Sequence, residues 1–215
     1  MTRSKQLVVA GYDAIHDRYD EWAGYDPSRR VHYLDLAWRL GLVRLGDALD
    51  LGCGTGRHAT ALLAAGGFRV TGLDASARSI EAARSQVPSA NFVVCDMASV
   101  RFPARSFDLI TAFYSIIHLP RDDHGPLFSR VAKWLRPGGT LVANLGTTGG
   151  DFYEDDWLGV PMFWSSWDDA TNRRLLDDAG LILRHEMIET TPEDGREITF
   201  QWVIAQRPPA PMGPE

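Results

Sequence analysis

Apolar positions along this chain follow two rhythms. Short, nearly continuous apolar runs, each closed by glycine or an acid, alternate with longer stretches whose apolar residues recur at helical spacing, which is the order of βαβ units. One run ends at Asp50, and a second over 68–73 ends at Asp74. Further runs span 91–95, closed by Asp96-Met97, and 107–114, closed by Ser115-Ile116-Ile117-His118-Leu119-Pro120. A fifth covers 140–145, launched by the turn Arg136-Pro137-Gly138-Gly139. Between them the spacing predicts helices over 56–65, stopped by Gly66-Gly67, and over 123–135.

The flanks read differently. Tyr12, Ile15, Tyr19 and Trp22 share one face of a predicted helix over 7–23, with Asp13, Asp17 and Asp20 between them. Such a helix either packs on the sheet edge or forms a lid whose tyrosines border a ligand. Pro27 opens a second helix ending near residue 40, with Gly41 as its stop. Arg29 and Arg30 stand in its first turn, against the helix dipole, and face either an acid or, more simply, solvent. Beyond the fifth strand come a loop over 146–150, an acidic stretch over 151–156, and the aromatics Trp157, Phe163, Trp164 and Trp167. These rings read as an apolar patch closing the sheet or as a substrate wall in a loop-rich insertion. Asp168 caps a helix to 179 that stops at Gly180, and 181–189 with 197–206 alternate as a terminal hairpin across 192–195. The Pro-rich tail, 208–215, is expected to be disordered.

At 215 residues the chain suits one α/β domain over 1–207, and no internal repeat is visible. Its parts are a helical lid over 1–45, a core over 46–146, and an insertion with the terminal hairpin over 147–207. Lys plus Arg is 22 against 28 for Asp plus Glu, a formal charge of −6, which disfavours nucleic acid or an anionic membrane as partner. Cys53 and Cys95, at the ends of core strands, read as reduced and buried in a cytoplasmic protein. No signal peptide or spanning run is visible.

The chemistry gathers at the strand ends. Gly52, Gly54 and Gly56 allow a sharp turn with close approach to the backbone, at the carboxyl end of a strand where open α/β sheets bind ligands. Arg57 stands where a dinucleotide fingerprint needs its third glycine, and the Lys-Ser/Thr ending of a P-loop is missing. Asp74 lies about 20 residues beyond the turn, where a carboxylate takes both hydroxyls of a ribose; capping the helix near Ser76 is the plainer role. His118, just past the fourth strand, is the candidate general base, able to take a proton near neutrality, unless it only packs. His16, His32, His58, His124 and His185 have weaker positions, and no cluster has the spacing of a metal site.

Five motifs in order carry a family resemblance: Asp50-Leu51-Gly52-Cys53-Gly54-Thr55-Gly56, Leu73-Asp74, Asp96-Met97, Phe107-Asp108-Leu109-Ile110 and Leu135-Arg136-Pro137-Gly138-Gly139. Over about residues 45–146 the chain resembles class I S-adenosylmethionine-dependent methyltransferases. The resemblance implies a Rossmann-like, doubly wound, seven-stranded and mostly parallel sheet with an antiparallel last strand. It implies S-adenosylmethionine as cofactor, S-adenosylhomocysteine as product, and cofactor contacts from Asp50, Gly52, Cys53 and Gly54, with Gly52 and Gly54 along the methionine part. Asp74 would meet the ribose, Ala75 the adenine face, and Asp96 with Met97 the adenine edge. Phe113 and Tyr114 would lie beneath the donor and Tyr19 beside it. Tyr12, Trp157, Phe163, Trp164 and Trp167 would then meet the acceptor. The Asn/Asp-Pro-Pro-aromatic motif of base-amino methyltransferases is absent, since Ser115-Ile116-Ile117-His118 stands there. The expected function is therefore methylation of oxygen or nitrogen on a small molecule by a monomer or homodimer. Methylation of a protein or peptide is the alternative, and a non-catalytic regulatory module the rival of another class.

Overall fold

A computed structural model of the chain describes residues 1–22, 28–193 and 196–210. Two helices, α1 (Arg3–Trp22) and α2 (Ser28–Arg39), precede β1 (Asp47–Leu51), α3 (Ala59–Ala65), β2 (Arg69–Asp74), α4 (Ala77–Gln86) and β3 (Asn91–Val94). Then come β4 (Phe107–Ala112), α5 (His124–Trp134), β5 (Leu135–Gly146), β6 (Gly150–Trp157), β7 (Val160–Ser166), α6 (Asp169–Asp178), β8 (Ile182–Glu193) and β9 (Arg196–Gln206). The large sheet has seven strands in the order β3-β2-β1-β4-β5-β9-β8. β1 to β5 pair in parallel, and β9 runs antiparallel to both neighbours.

The near-continuous apolar runs have their explanation in the two cores. In β4, Leu109 faces α2 and α3, while Ile110 and Ala112 face α5 and α6. In β9, Trp202 and Ile204 join the first core, Val203 and Ala205 the second. Strands buried on both faces have no polar side to alternate with. Helix α2 is held by the ring of Tyr33, which stacks on Trp202 at 4.4 Å and 4° and donates its hydroxyl to Glu189 at 2.7 Å. Arg29 pairs with the other oxygen of Glu189 at 3.0 Å, and the Arg30 guanidinium lies 4.7 Å from the Tyr114 ring centroid. The solvent-facing reading of these two arginines is thus corrected: the sheet supplies their partners.

Several expected boundaries shift. The third helix begins at Ala59 rather than Gly56, because the chain through Gly52, Gly54 and Gly56 keeps φ at +72°, +54° and +76° and cannot be helical. β4 stops at Ala112, short of Tyr114, whose φ is +54°. The Arg136–Gly139 segment is not a turn before the fifth strand but part of it, since Leu135 already pairs with Phe107 across a register shift. Asp168 does cap α6, accepting the Thr171 N–H at 2.7 Å. Cys53 is buried, whereas Cys95 is only half-buried beside the exposed edge strand β3. The side chains of Asp17, Asp20 and Trp22, together with Pro27, the turn at 194–195 and residues 211–215 of the tail, lie outside the described residues.

The largest departure is the insertion. It is a separate two-stranded sheet, β6 with β7, turned at Leu158 and Gly159 with φ of +54° and +83°. Two successive positive φ values are the mark of a tight hairpin turn. Helix α1 lies against this hairpin closely enough that a Cβ at Gly11 would come within 2.9 Å of Met162 Cε. The Arg18 guanidinium donates to the Leu158 carbonyl at 2.9 Å.

Trp202 is the buried joint between α2 and the sheet, at 1% exposure. Trp202→Ala is expected to lower the free energy of unfolding by about 3–5 kcal/mol, measured in urea. A loss under about 1 kcal/mol would mean that Tyr33 and its neighbours close over the gap.

Candidate active site

Strand order reverses beside β1, since the chain goes outward to β2 and β3 and then returns to place β4 on the other side. Ligands of open α/β sheets bind above such a point, at the carboxyl ends of the strands. There the structure has a cleft of about 1140 Å³, partly open to solvent, with Gly52, Gly54, Asp74, Asp96, Phe113 and His118 on its walls.

The glycine turn is tied down strand by strand. The N–H groups of Gly52 and Cys53 both donate to the Leu73 carbonyl, at 2.8 and 3.0 Å. A Cβ on Gly52 would collide with that of Ser115. Beneath the turn, Asp50 is 2% exposed and accepts from Thr60 Oγ1 at 2.6 Å and Thr111 Oγ1 at 2.7 Å. Burial raises its pKa, and the two hydroxyls only partly offset that.

Asp74 accepts the Gly54 N–H at 2.9 Å with one oxygen and the Ser76 N–H at 2.9 Å with the other. It does not cap α4; Ser76 does, with its own Oγ accepting from Ser79 N at 2.9 Å. Burial again pushes the carboxyl above the usual range, against the two backbone bonds. Each carboxylate oxygen has two acceptor directions, so a diol would find free lone pairs on both.

Helix α1 crosses the cleft and supplies Lys5, Tyr12 and Tyr19 to it. Lys5 reaches Asp96 at 3.0 Å and Asp123 at 2.6 Å. Burial lowers its pKa, but bonds to the two carboxylates outweigh this and leave it raised. Asp13 accepts from the Ser76 hydroxyl, and its carbonyl accepts from Arg78 at 2.8 Å.

His118 ends a short 3₁₀ turn, Ile116–His118, and is buried. Its Nδ1 lies 2.9 Å from the Phe163 carbonyl, which can only accept, so Nδ1 carries the proton. Nε2 is then an acceptor, and the Tyr12 hydroxyl donates to it at 2.8 Å. Burial lowers the imidazole pKa to about 4, which corrects the expectation of a group titrating near neutrality.

The residues expected at the cofactor, Tyr19, Asp50, Gly52, Cys53, Gly54, Asp74, Ala75, Asp96, Met97, Phe113 and Tyr114, all line this cleft, as do Tyr12 and His118. Trp157 and Trp164 instead line a second, wider cavity under the hairpin, of about 1840 Å³ and partly open. Trp157 lies against Tyr12 at 5.7 Å and Tyr19 at 5.9 Å between ring centroids, and Trp164 against His118 at 4.6 Å. The two cavities are therefore separated by two layers of rings, Tyr12, Tyr19 and His118 facing one and Trp157 and Trp164 facing the other. Phe163 and Trp167 leave the expected set. The Phe163 ring is 1% exposed in the core and only its carbonyl reaches His118, while Trp167 is tied to Arg121 through its Nε1–H, at 3.2 Å from the Arg121 carbonyl. Sequence reasoning missed Lys5, Arg30, Thr55, His58 and Ser115 in the cleft. His58 and Thr55 adjoin the glycine turn and were within reach, but Lys5 finds its carboxylate 91 residues away and no local signal marks it.

Neutral in the fold and buried, His118 should keep its imidazole unprotonated at pH 6. Its ring proton signal should titrate with a midpoint near 4. An unfolded imidazole protonates near 6.5, so stability is lost as pH falls through that window toward 4, by at most about 1.4 kcal/mol per pH unit. A midpoint above 6 would show that the ring reaches water.

Residues 48–139 match the family described as methyltransferase domain. Trans-aconitate 2-methyltransferase of Escherichia coli is 34% identical over 144 residues, covering 62% of this chain and 52% of that protein. The 27-O-demethylrifamycin SV methyltransferase of Amycolatopsis mediterranei is 32% identical over 155 residues, covering 63% and 56%. The chain thus spans about half the length of the curated relatives it matches. Among solved structures, magnesium protoporphyrin IX methyltransferase of Synechocystis, with bound S-adenosylmethionine, superposes with a TM-score of 0.69 at 18% identity, over 96% of this chain and 98% of that one; at that identity the likeness speaks for the fold alone. Residues 48–139 thus match a methyltransferase domain, and the five ordered motifs and the sheet order are consistent with the class I S-adenosylmethionine-dependent methyltransferases.

Proposed function

We propose that this chain binds S-adenosylmethionine in the cleft above β1 and β4 and transfers its methyl group to oxygen or nitrogen of a small molecule held in the cavity under the hairpin. One observation carries the reading: a donor-type cleft and an aromatic-lined cavity meet at a wall made by Trp157, Trp164 and His118. The names of the relatives, trans-aconitate and 27-O-demethylrifamycin SV methyltransferases, support an acceptor of small size. Among the described residues no helix is long and apolar enough to cross a membrane.

The cleft fits the cofactor on its own chemistry. A buried carboxylate with raised pKa and no hydrogen-bonded cation costs stability, and Asp74 is such a group among the described residues, at the place where a ribose diol would offset that cost. Asp74 takes the ribose, Ala75, Asp96 and Met97 border the adenine, and Gly52 with Gly54 leave the backbone open to the methionine part. Tyr19 covers the donor from α1, with Phe113 and Tyr114 beneath it. When bound, the cofactor supplies an electrophilic methyl on a sulfonium. The protein's share is alignment, exclusion of water and handling of the acceptor's proton. Tyr12 and His118 stand between the two cavities for that last task. An acceptor group would replace the Tyr12 hydroxyl at Nε2, or pass its proton to the Tyr12 oxygen while Tyr12 gives its own to Nε2.

S-adenosylhomocysteine should bind and NAD should not, by titration calorimetry. Asp74→Ala should weaken S-adenosylhomocysteine at least about tenfold in a folded protein, since charge-assisted bonds of about 1.5–3 kcal/mol are removed. NAD binding without response to the sulfur ligand would sink the assignment.

His118→Ala should cut turnover by about 10²–10⁴-fold while donor affinity is kept, for an acceptor that must lose a proton. The wild-type rate should show no inflection from this residue between pH 6 and 8, because the neutral form persists to about 4. A variant within a few-fold of wild type would leave His118 as a packing residue.

A further inference from the structure

The cavity under the hairpin carries charge of one sign. Among the described residues Asp151, Glu154, Asp156 and Glu197 line it, against a single guanidinium, that of Arg196. Two of the carboxylates are occupied structurally: Asp151 takes Arg121 at 3.0 Å and Ser165 at 2.7 Å, and Asp156 accepts the Gly159 N–H in the hairpin turn at 2.9 Å.

Glu154 is different. Its side chain is 13% exposed, and it accepts the Trp164 indole N–H at 3.2 Å with one oxygen. The other takes Arg196 at 2.7 Å, an arginine whose side chain is 64% exposed. A carboxylate so largely covered is best satisfied by a cation, and this one is served from the solvent side by a long side chain. Pairs with so exposed a member are weak and readily exchanged. Beside Glu154 the indoles of Trp157 and Trp164 stand at 90° with centroids 5.1 Å apart, giving two aromatic surfaces at right angles. Aromatic faces next to a carboxylate attract ammonium groups, and attract them more when water is excluded.

We propose that this cavity takes a small organic cation with a flat apolar body, whose ammonium group replaces Arg196 on Glu154 while its body lies against Trp157 and Trp164. Arg196 is then an internal stand-in for the ligand's charge. The proposal deepens the methyl-transfer reading, on which it rests only in making this ligand the acceptor. Carboxylate ligands are disfavoured by the same four acids.

The test is calorimetry at pH 7.5 on the full chain saturated with S-adenosylhomocysteine, using tryptamine as cation and indole-3-propionate as its anionic counterpart. Tryptamine should bind at least tenfold more tightly than indole-3-propionate. Glu154→Gln, whose amide oxygen can still accept the Trp164 N–H, should remove most of that preference. Arg196→Gln should tighten tryptamine several-fold, because it removes the competing cation, whereas a purely structural ion pair would give no gain. Tighter binding of indole-3-propionate that is lost in Arg196→Gln overturns the proposal, and so does the absence of binding by either probe. S-adenosylhomocysteine affinity, measured separately in each variant, reports folding; its loss in wild type would sink the donor reading and leave the cation measurement to stand alone.

Discussion

The carboxylate of Asp50 sits where three elements must agree. It lies in the buried part of β1, takes the hydroxyl of Thr111 from β4 and that of Thr60 from α3, and so ties together the strands that flank the reversal point. Desolvating a carboxylate is costly, and two neutral hydroxyls offset only part of it. The remainder is borne by the two cores on either side of the sheet. Every ligand-facing turn follows from this register: the glycine loop hangs from Leu73, Asp74 bridges Gly54 and Ser76, and Ser115 donates to the Leu51 carbonyl at 2.7 Å.

Against that rigid floor, α1 is attached by polar contacts at its rim and by the rings of Tyr12 and Tyr19 against Trp157. Lys5, Tyr12, Asp13 and Arg18 each reach a different element, and each contact is individually replaceable by water or ligand. Ile15, at 1% exposure, is its apolar anchor.

The parallel core was legible because strands buried on both faces leave apolar runs, and because the turns between them need glycine or an acid at fixed places. Asp74 and the glycine loop were found for that reason. What the sequence hid is long-range. Arg29 and Arg30 looked solvated because Glu189 and Tyr114 are far off in the chain. The hairpin was hidden because β6 is largely exposed on both sides, showing no alternation, and because its turn uses Leu158-Gly159 instead of the Asn-Gly or Asp-Gly that signals one. His118 was located by its strand end, but its depressed pKa arises from burial under Tyr12 and Trp164, which arrive from opposite ends of the chain. Phe163 adjoins Trp164 inside β7 and Trp167 follows just beyond its end, and only a known register separates a wall residue from a core residue.

The absence of a side chain at Gly11 lets α1 touch the hairpin that walls the second cavity, while the same helix covers the first. The helix that covers the first compartment therefore also braces the hairpin that walls the second. By linkage, whatever occupies one of them and prefers a given seating of α1 must alter affinity in the other by the same factor that it experiences in return. Communication between the two would then need no dedicated relay through the sheet, because the helix and the hairpin touch directly.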